Sequence, residues 1–545
     1  MSAILSLRLD YFQIHFYTTS IDHLCNTDWM RSTSIPEVPI ELDRDGQLSL
    51  PLQLARAVRE LIDRGALLPG DELPSTRAWA ARLGVSRGTV VSAYEQLTAE
   101  GYLTGERGSA TRINPRLRQT HPAHEPAAAS PTRKNDARTT ATASAAASTS
   151  HDRTHSHVPH PIKPEAAPSH LRPHDAIDML PGRPATDWLH TPAWRRAWRV
   201  AADAQLASIP LAGDDRLRGN LAEHFRRMRG LARDPDQFLV TAGGREGLAL
   251  IIQTLASELE GGRALRVGVE SPGYPSLRRT AQRLGAELVA LEVDHAGLRT
   301  DMLPVGPKRP DLVIVTPSHQ YPLGGSLPID RRIELLEWAR REQVLIVEDD
   351  YDSELRYVGQ PLPTLTALDD SRDGSVALLG TFSTTVAPSL GIGMLCVSDA
   401  LRERLLATRR DLGTPVSALV QHAFAEYLAS GELRRHTARM RRTYRQRRGL
   451  VLEALGDVSG AAVSPMDGGL HAVIRTKLPE AKVLAACEKA GVLVSPGADY
   501  WRQTGRDPQQ DGDARGTIVI GYAHLSSDAL SEGLRRLRGA LGGCD

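Results

Sequence analysis

Two groups of residues in this 545-residue chain have the types and spacing to do chemistry. In "SRGTVVSAYEQLTAEG" a helix capped by Ser86 presents Arg87 and Thr89 in its first turn, with Arg77 on the helix before it. Arginine reads guanine O6/N7 and phosphate, and a recognition helix contacts bases through its first turns. The second group is spread over "ESPGYP" with Tyr274, "SHQYPLGG", "EDDYDSELRY" with Asp349 and Tyr351, and "GTFSTT" with Thr381, Ser383 and Thr384. Each motif directly follows an apolar run ("LRVGV", "DLVIVTP", "QVLIV", "SVALL") that reads as a buried parallel strand. Open parallel sheets bind ligands along the carboxyl edge of their strands, so these side chains are expected to converge on one pocket.

The elements that must position the first group are compact. "LPLQLARAVRELIDRG" has Leu54, Val58, Leu61 and Ile62 at helical spacing and stops at Gly65. "PSTRAWAARLGV" follows, with Ser75 as N-cap and Gly84 as stop; the third helix runs from Ser86 to Gly101. "YLTGERGSATRI" then reads as two short strands around a glycine-containing turn, which makes a winged helix-turn-helix over residues 45–114. Residues 115–175 are rich in Ala, Ser, Thr, Pro and His, bury too little to offset their ordering entropy, and read as a flexible linker. Its histidines, His151, His155, His157 and His160, read as low complexity and not as a metal site. Residues 1–44 follow no periodic pattern and read as a disordered extension. Residues 176–545 alternate strands with helices such as "IDRRIELLEWARREQ", which predicts a doubly wound, mostly parallel α/β domain.

Composition narrows the classes. Net charge is +1, so nucleic-acid contact must come from a local patch. Cys25, Cys396, Cys487 and Cys544 lack CxxC spacing, which argues against a zinc site or disulfide framework and fits a reducing cytoplasm. No apolar run approaches the ~20 residues of a membrane span. The arginine-rich "ELRRHTARMRRTYRQRRGLVLEAL" predicts one helix with Met440 and Tyr444 inward; its basic face is either solvated or a secondary DNA-facing patch.

The head "PGDELPSTRAWAARLGVSRGTVVSAYEQLTAEGYL" resembles the GntR family of bacterial winged-helix regulators. The resemblance implies double-stranded DNA as partner and DNA contacts at Arg77, Ser86, Arg87, Thr89 and Gly108, although the wing tip reads Gly108-Ser109-Ala110-Thr111 where the family has Gly-Ser-Gly-Thr. The large domain, with "TPSHQYPLGG", "EDDYDSELRY" and "GYAHLSSDALSEGLRRL", resembles fold-type I aminotransferases, and the combination resembles the MocR branch of these regulators. The likeness implies a homodimer and a pyridoxal 5'-phosphate site. Asp349 would face the pyridine nitrogen, Tyr351 would donate to the phenolic oxygen, and Tyr274 would stack on the ring. Gly243 and Gly244 in "TAGGREG", with Thr381 and Ser383, would hold the phosphate.

Three departures stand against catalysis. The family reads Ser-Lys where this chain has Ser383-Thr384, and threonine has no amine to bind the cofactor aldehyde or carry its proton. Gly391 stands in place of an arginine that pairs with the phosphate, a contact of ~1.5–3 kcal/mol. Val519 stands where transaminases keep an arginine for the substrate carboxylate. Arg245 is placed to supply a positive charge near the phosphate or another anion. The expectation is a DNA-binding transcriptional regulator whose large domain has lost transaminase activity and binds any cofactor non-covalently. That domain then serves either as a dimerisation scaffold or as a sensor of a small-molecule effector. The alternative is a pyridoxal-phosphate-dependent aminotransferase with a regulatory head, its lysine delivered from elsewhere. Heads tethered by ~60 residues have a span of roughly 45 Å and are expected to tolerate variable half-site spacing.

Overall fold

The computed structural model describes residues 40, 42, 44, 49–63, 67, 69–104, 111–115, 117, 175–204, 208–357, 363–501 and 516–542. The head comprises α1 (Leu50–Asp63), α2 (Thr76–Leu83), α3 (Arg87–Ala99) and the wing strands β1 (Leu103–Thr104) and β2 (Arg112–Ile113). Its helix ends are fixed by local chemistry. Ser75 accepts from the Ala78 N–H to start α2, Gly84 ends it at φ 63°, and Ser86 accepts from the Thr89 N–H to start α3. Trp79 and Tyr94 meet edge to face at 5.6 Å in the centre of a core built by Leu54, Val58, Val90 and Leu97. From the segment read as a disordered extension, Ile40 and Leu42 pack on this core and Arg44 donates to the Gly84 carbonyl. Almost all of the remaining extension and linker, with the linker histidines, lies outside the described residues.

The large domain opens with β3 (Ile177–Asp178), α4 (Pro192–Asp203), α5 (Asp215–Arg229), β4 (Phe238–Thr241), α6 (Gly244–Ser257), β5 (Arg266–Ser271), α7 (Pro275–Arg283), β6 (Glu287–Asp294) and β7 (Gly297–Leu298). It continues through β8 (Leu312–Val315), α8 (Ile329–Glu342), β9 (Leu345–Asp350), α9 (Leu365–Leu368), β10 (Val376–Thr381), β11 (Gly393–Cys396), α10 (Asp399–Leu412), α11 (Ala418–Ala429) and α12 (Glu432–Leu455). The chain then forms β12 (Ala461–Val463), β13 (His471–Thr476), α13 (Glu480–Lys489), β14 (Val492–Leu493), β15 (Ser495–Pro496), β16 (Thr517–Gly521) and α14 (Ser527–Gly542).

Eight strands form the main sheet in the order β4-β11-β10-β9-β8-β5-β6-β7. From β10 through β6 every pairing is parallel, while β11 and β7 run against their neighbours. All four expected strands are present as β5, β8, β9 and β10. Alternate residues of β10 serve opposite faces: Leu378 packs with Phe382 and Phe424, Leu379 with Leu248 and Leu277. A second, antiparallel sheet, β12-β13-β16-β15, shares one hydrophobic core with α12 and α14.

The arginine-rich helix α12 buries Met440 and Tyr444 as its pattern predicts. Its basic face is not uniformly solvated: Arg445, Arg447 and Arg448 donate to the carbonyls of Tyr357, Ala523 and Met466. These side chains tie the helix to the second sheet and to the chain after β9.

Candidate ligand pocket and nucleic-acid interface

The carboxyl edge of the main sheet opens into a cavity of about 300 Å³. All nine residues expected there line it: Gly243, Gly244, Arg245, Tyr274, Asp349, Tyr351, Thr381, Ser383 and Thr384. β9 delivers Asp349 and Tyr351, β10 ends at Thr381, and α6 begins at the cavity wall. Gly243 precedes that helix with φ 94°, a conformation open to glycine, and no side chain caps the helix end.

Asp349 is buried, 4 % exposed, and among the described residues nothing donates to its carboxylate. Burial pushes its pKa well above the ordinary value, and the charges of Asp350, Asp352 and Glu270 push it further. Neighbouring acids have charged or ring partners: Asp350 lies 3.0 Å from Arg229 Nε, although its Oδ1 is buried without a hydrogen-bond partner among the described residues, and Asp352 meets His319 at 2.8 Å. Arg245 donates to Ser276 at 2.5 Å, which holds the guanidinium at the cavity wall. Thr381 donates to Ser383 at 2.9 Å.

Two side chains are engaged differently from what the resemblance implied. The Tyr351 hydroxyl donates to the His319 carbonyl at 2.9 Å and lies 2.9 Å from His319 Nδ1, so a donor to a ring oxygen would first have to leave this pair. Thr384 donates to the Tyr351 carbonyl. Val519, which the resemblance sets in place of a carboxylate-binding arginine, is fully buried in β16 in a cluster with Tyr321, Val473 and Tyr500.

Sequence reasoning did not pick out Tyr321 and His471, which complete the wall. Their rings lie 4.5 Å apart, and Tyr321 also meets Tyr274 edge to face at 5.1 Å. Burial pushes His471 down to about 4, so it is neutral at physiological pH. The aromatic residue in "SHQYPLGG" was the available signal for Tyr321; none pointed to His471.

Among the described residues no lysine lines the cavity. The chain's lysines are Lys134, Lys163, Lys308, Lys477, Lys482 and Lys489, and the last four, which fall among the described residues, are exposed.

In the head, Arg77, Ser86 and Arg87 are exposed on one end of the helix-turn-helix, with Thr89 half-buried beside them. The Ser86 and Thr89 hydroxyls pair at 2.9 Å while Ser86 caps α3, so both serve the helix start. Gly108 lies outside the described residues.

Residues 50–113 match the family model for bacterial regulatory proteins of the gntR family, and residues 177–533 match that for aminotransferase class I and II. The chain is 42% identical over 497 residues to the HTH-type pyridoxine biosynthesis transcriptional regulator PdxR of Corynebacterium glutamicum, covering 91% of this chain and 97% of that one. It is 32% identical to the probable rhizopine catabolism regulatory protein MocR of Rhizobium meliloti, over 92% of this chain and 95% of its relative. The chain belongs to the MocR branch of the GntR family. It is accordingly a DNA-binding transcriptional regulator with an aminotransferase-like domain. The fold of that domain is also that of an archaeal alanine:glyoxylate aminotransferase, with TM-score 0.60 at 22% identity over 68% of this regulator and 91% of the enzyme. Among the described residues no helix is long and apolar enough to cross a membrane, and no cluster of His, Cys, Asp or Glu could hold a metal ion.

Proposed function

We propose that the aminotransferase-like domain is a non-covalent sensor without transaminase activity, working in a cytoplasmic homodimer. Its ligand carries a basic ring nitrogen and an anionic group, the chemistry of the pyridine phosphates related to pyridoxal 5'-phosphate. One observation carries the reading: Asp349 is buried at the cavity with no donor among the described residues, in a field of carboxylates. A basic ring nitrogen relieves that arrangement by taking the proton and leaving an ion pair. The uncapped start of α6 and the guanidinium of Arg245 offer an anion site in the same cavity. When bound, pyridoxal phosphate supplies an electron-withdrawing ring; the cavity supplies no amine to anchor its aldehyde or to move a proton. The relative from Corynebacterium glutamicum is a regulator of pyridoxine biosynthesis, which favours genes of that pathway as targets here.

Thermal-shift titration tests the reading. Pyridoxal 5'-phosphate and pyridoxine 5'-phosphate, which differ only in the aldehyde, are expected to stabilise the regulator alike, and Asp349→Ala to weaken both. No shift with either would leave the domain as a dimerisation scaffold, the role favoured by the already satisfied hydroxyl of Tyr351.

A further inference from the structure

The head does not sit free of the large domain. α8 begins after Pro328, which has no side-chain acceptor, and its first amide N–H, on Ile329, donates instead to the carbonyl of Glu100 at the end of α3, at 3.1 Å. Four N–H groups at a helix start lack intrahelical partners, so the head supplies a cap that α8 lacks. The Asn114 side chain, just past β2, donates both to the Gly101 carbonyl and to the carboxylate of Asp330. Ile329 and Ile333 are 0 % and 2 % exposed because they complete the head's own hydrophobic core. Gly101 has φ +79°, and a Cβ there would lie 2.2 Å from the Ile329 side chain, so the two backbones meet too closely for any other residue. Glu100 is itself buried and held by Arg59 and Gln96.

The contact is at the far end of the recognition helix from its reading end. Thirteen residues of α3 separate them, about 20 Å at 1.5 Å per residue, and Arg77, Ser86 and Arg87 stay exposed. Docking and base reading are therefore compatible. Head and large domain belong to one chain, so their association carries no cost of bringing two molecules together, and a modest apolar contact with capped hydrogen bonds suffices to hold it.

We propose that the first turn of α8 is a docking site for the DNA-binding head, that the head stays seated on it during DNA binding, and that the regulator consequently selects paired half-sites at one fixed spacing. This replaces the expectation of freely tethered heads. The spacing rests on the homodimer reading above; the docking does not.

The test uses the full chain. Hydrogen exchange followed by mass spectrometry reads the peptide containing Ile329, whose amide is protected only when the head supplies its acceptor. In parallel, selection from random-sequence duplex DNA, read by sequencing, reports the spacing of enriched half-sites. Wild type is expected to protect the Ile329 peptide with and without selected duplex, and to enrich one spacing. Ile333→Asp, or the milder Asn114→Ala from the head side should the first fail to fold, is expected to lose protection and enrich several spacings. A wild-type peptide that exchanges like that of the variants would overturn docking. Protection with paired sites of mixed spacing would overturn the claim that the head stays seated on DNA. Enrichment of isolated half-sites would instead sink the homodimer reading and the fixed spacing with it, while the protection pattern still decides the docking.

Discussion

The side-chain hydroxyl of Thr384 donates to the backbone carbonyl of Tyr351, across the cavity wall from the end of β10 to the end of β9. The residue that the family resemblance sets in place of the transaminase lysine is a small neutral group already committed to the protein. Wild type mixed with pyridoxal 5'-phosphate and borohydride is therefore expected to yield no trapped adduct inside this cavity. Thr384→Lys is expected to yield one, because the side chain starts on the cavity wall and the nucleophile is all that is added. Peptide mapping after reduction checks both. An adduct in unmodified protein on a lysine at this pocket would return the enzyme reading to contention.

Arg87 stands exposed at the first position of α3, with only a 3.4 Å contact from its Nε to Thr76. That weak contact is easily exchanged for a base edge. Arg87→Ala is expected to cost ~1–3 kcal/mol of discrimination between specific and scrambled duplex, the range for a bidentate contact to guanine. Arg44, which donates to Gly84, is expected to affect head stability and not base choice. Equal affinity of wild type for the two duplexes in a gel-shift titration would remove the base-reading role from Arg87.

Much of this was legible because it is local. Ser75, Gly84 and Ser86 mark helix ends through hydrogen bonds within three or four residues, and they stand where the sequence put them. The polar motifs lie at strand ends, and sheet topology forces strand ends together, so nine pocket residues followed from four apolar runs and a family pattern. What failed to show is non-local. β11 is a four-residue strand that the sequence reading did not identify, paired antiparallel between β4 and β10. Ile329 and Ile333 lie on α8, and its sequence alone says nothing of what they face. Their actual neighbours are in the head, and the Asn114–Asp330 contact spans 216 residues of sequence. Tyr351 shows the same limit: the family resemblance implied a donor to a ligand, and the backbone carbonyl of His319 accepts that hydrogen bond instead.

Asp349 offers a separation of stability from binding. Its burial among Asp350, Asp352 and Glu270 disfavours the ionised form in the empty protein. Asp349→Asn is expected to leave the unliganded protein as stable or more stable at neutral pH, since it removes a carboxyl that loses stability on ionising. The same change is expected to weaken binding of pyridoxal 5'-phosphate by at least tenfold, because a neutral amide cannot pair with a protonated ring nitrogen. Melting curves with and without ligand measure both effects. A variant that loses stability and keeps affinity would make Asp349 a structural residue.

Glu270 makes the pH dependence of the pocket testable with a definite sign. It is buried at the end of β5, accepts from the Thr316 N–H at 3.2 Å, and burial pushes its carboxyl up to about 7 from an ordinary 4.5. Between those values the folded state holds more protons than the unfolded chain, so this group's contribution to stability falls as pH rises. At about 1.4 kcal/mol per pH unit the loss reaches roughly 3 kcal/mol. His471 acts in the opposite direction: pushed down to about 4, it binds fewer protons folded than unfolded, and its contribution rises between about 4 and 6.5. The wild-type curve therefore conceals offsetting slopes, with Asp349 acting in the same direction as Glu270. Glu270→Gln removes one of them. Its rearranged hydrogen bonds to Thr316 and Gln320 add an offset, and the pH-dependent part is what identifies the carboxyl. Relative to wild type, the variant is expected to gain stability steadily from about pH 4.5 to about pH 7 and to run parallel above that. Denaturant midpoints of the large domain across this range decide it, and parallel curves throughout would mean that the Glu270 carboxyl is not shifted by folding.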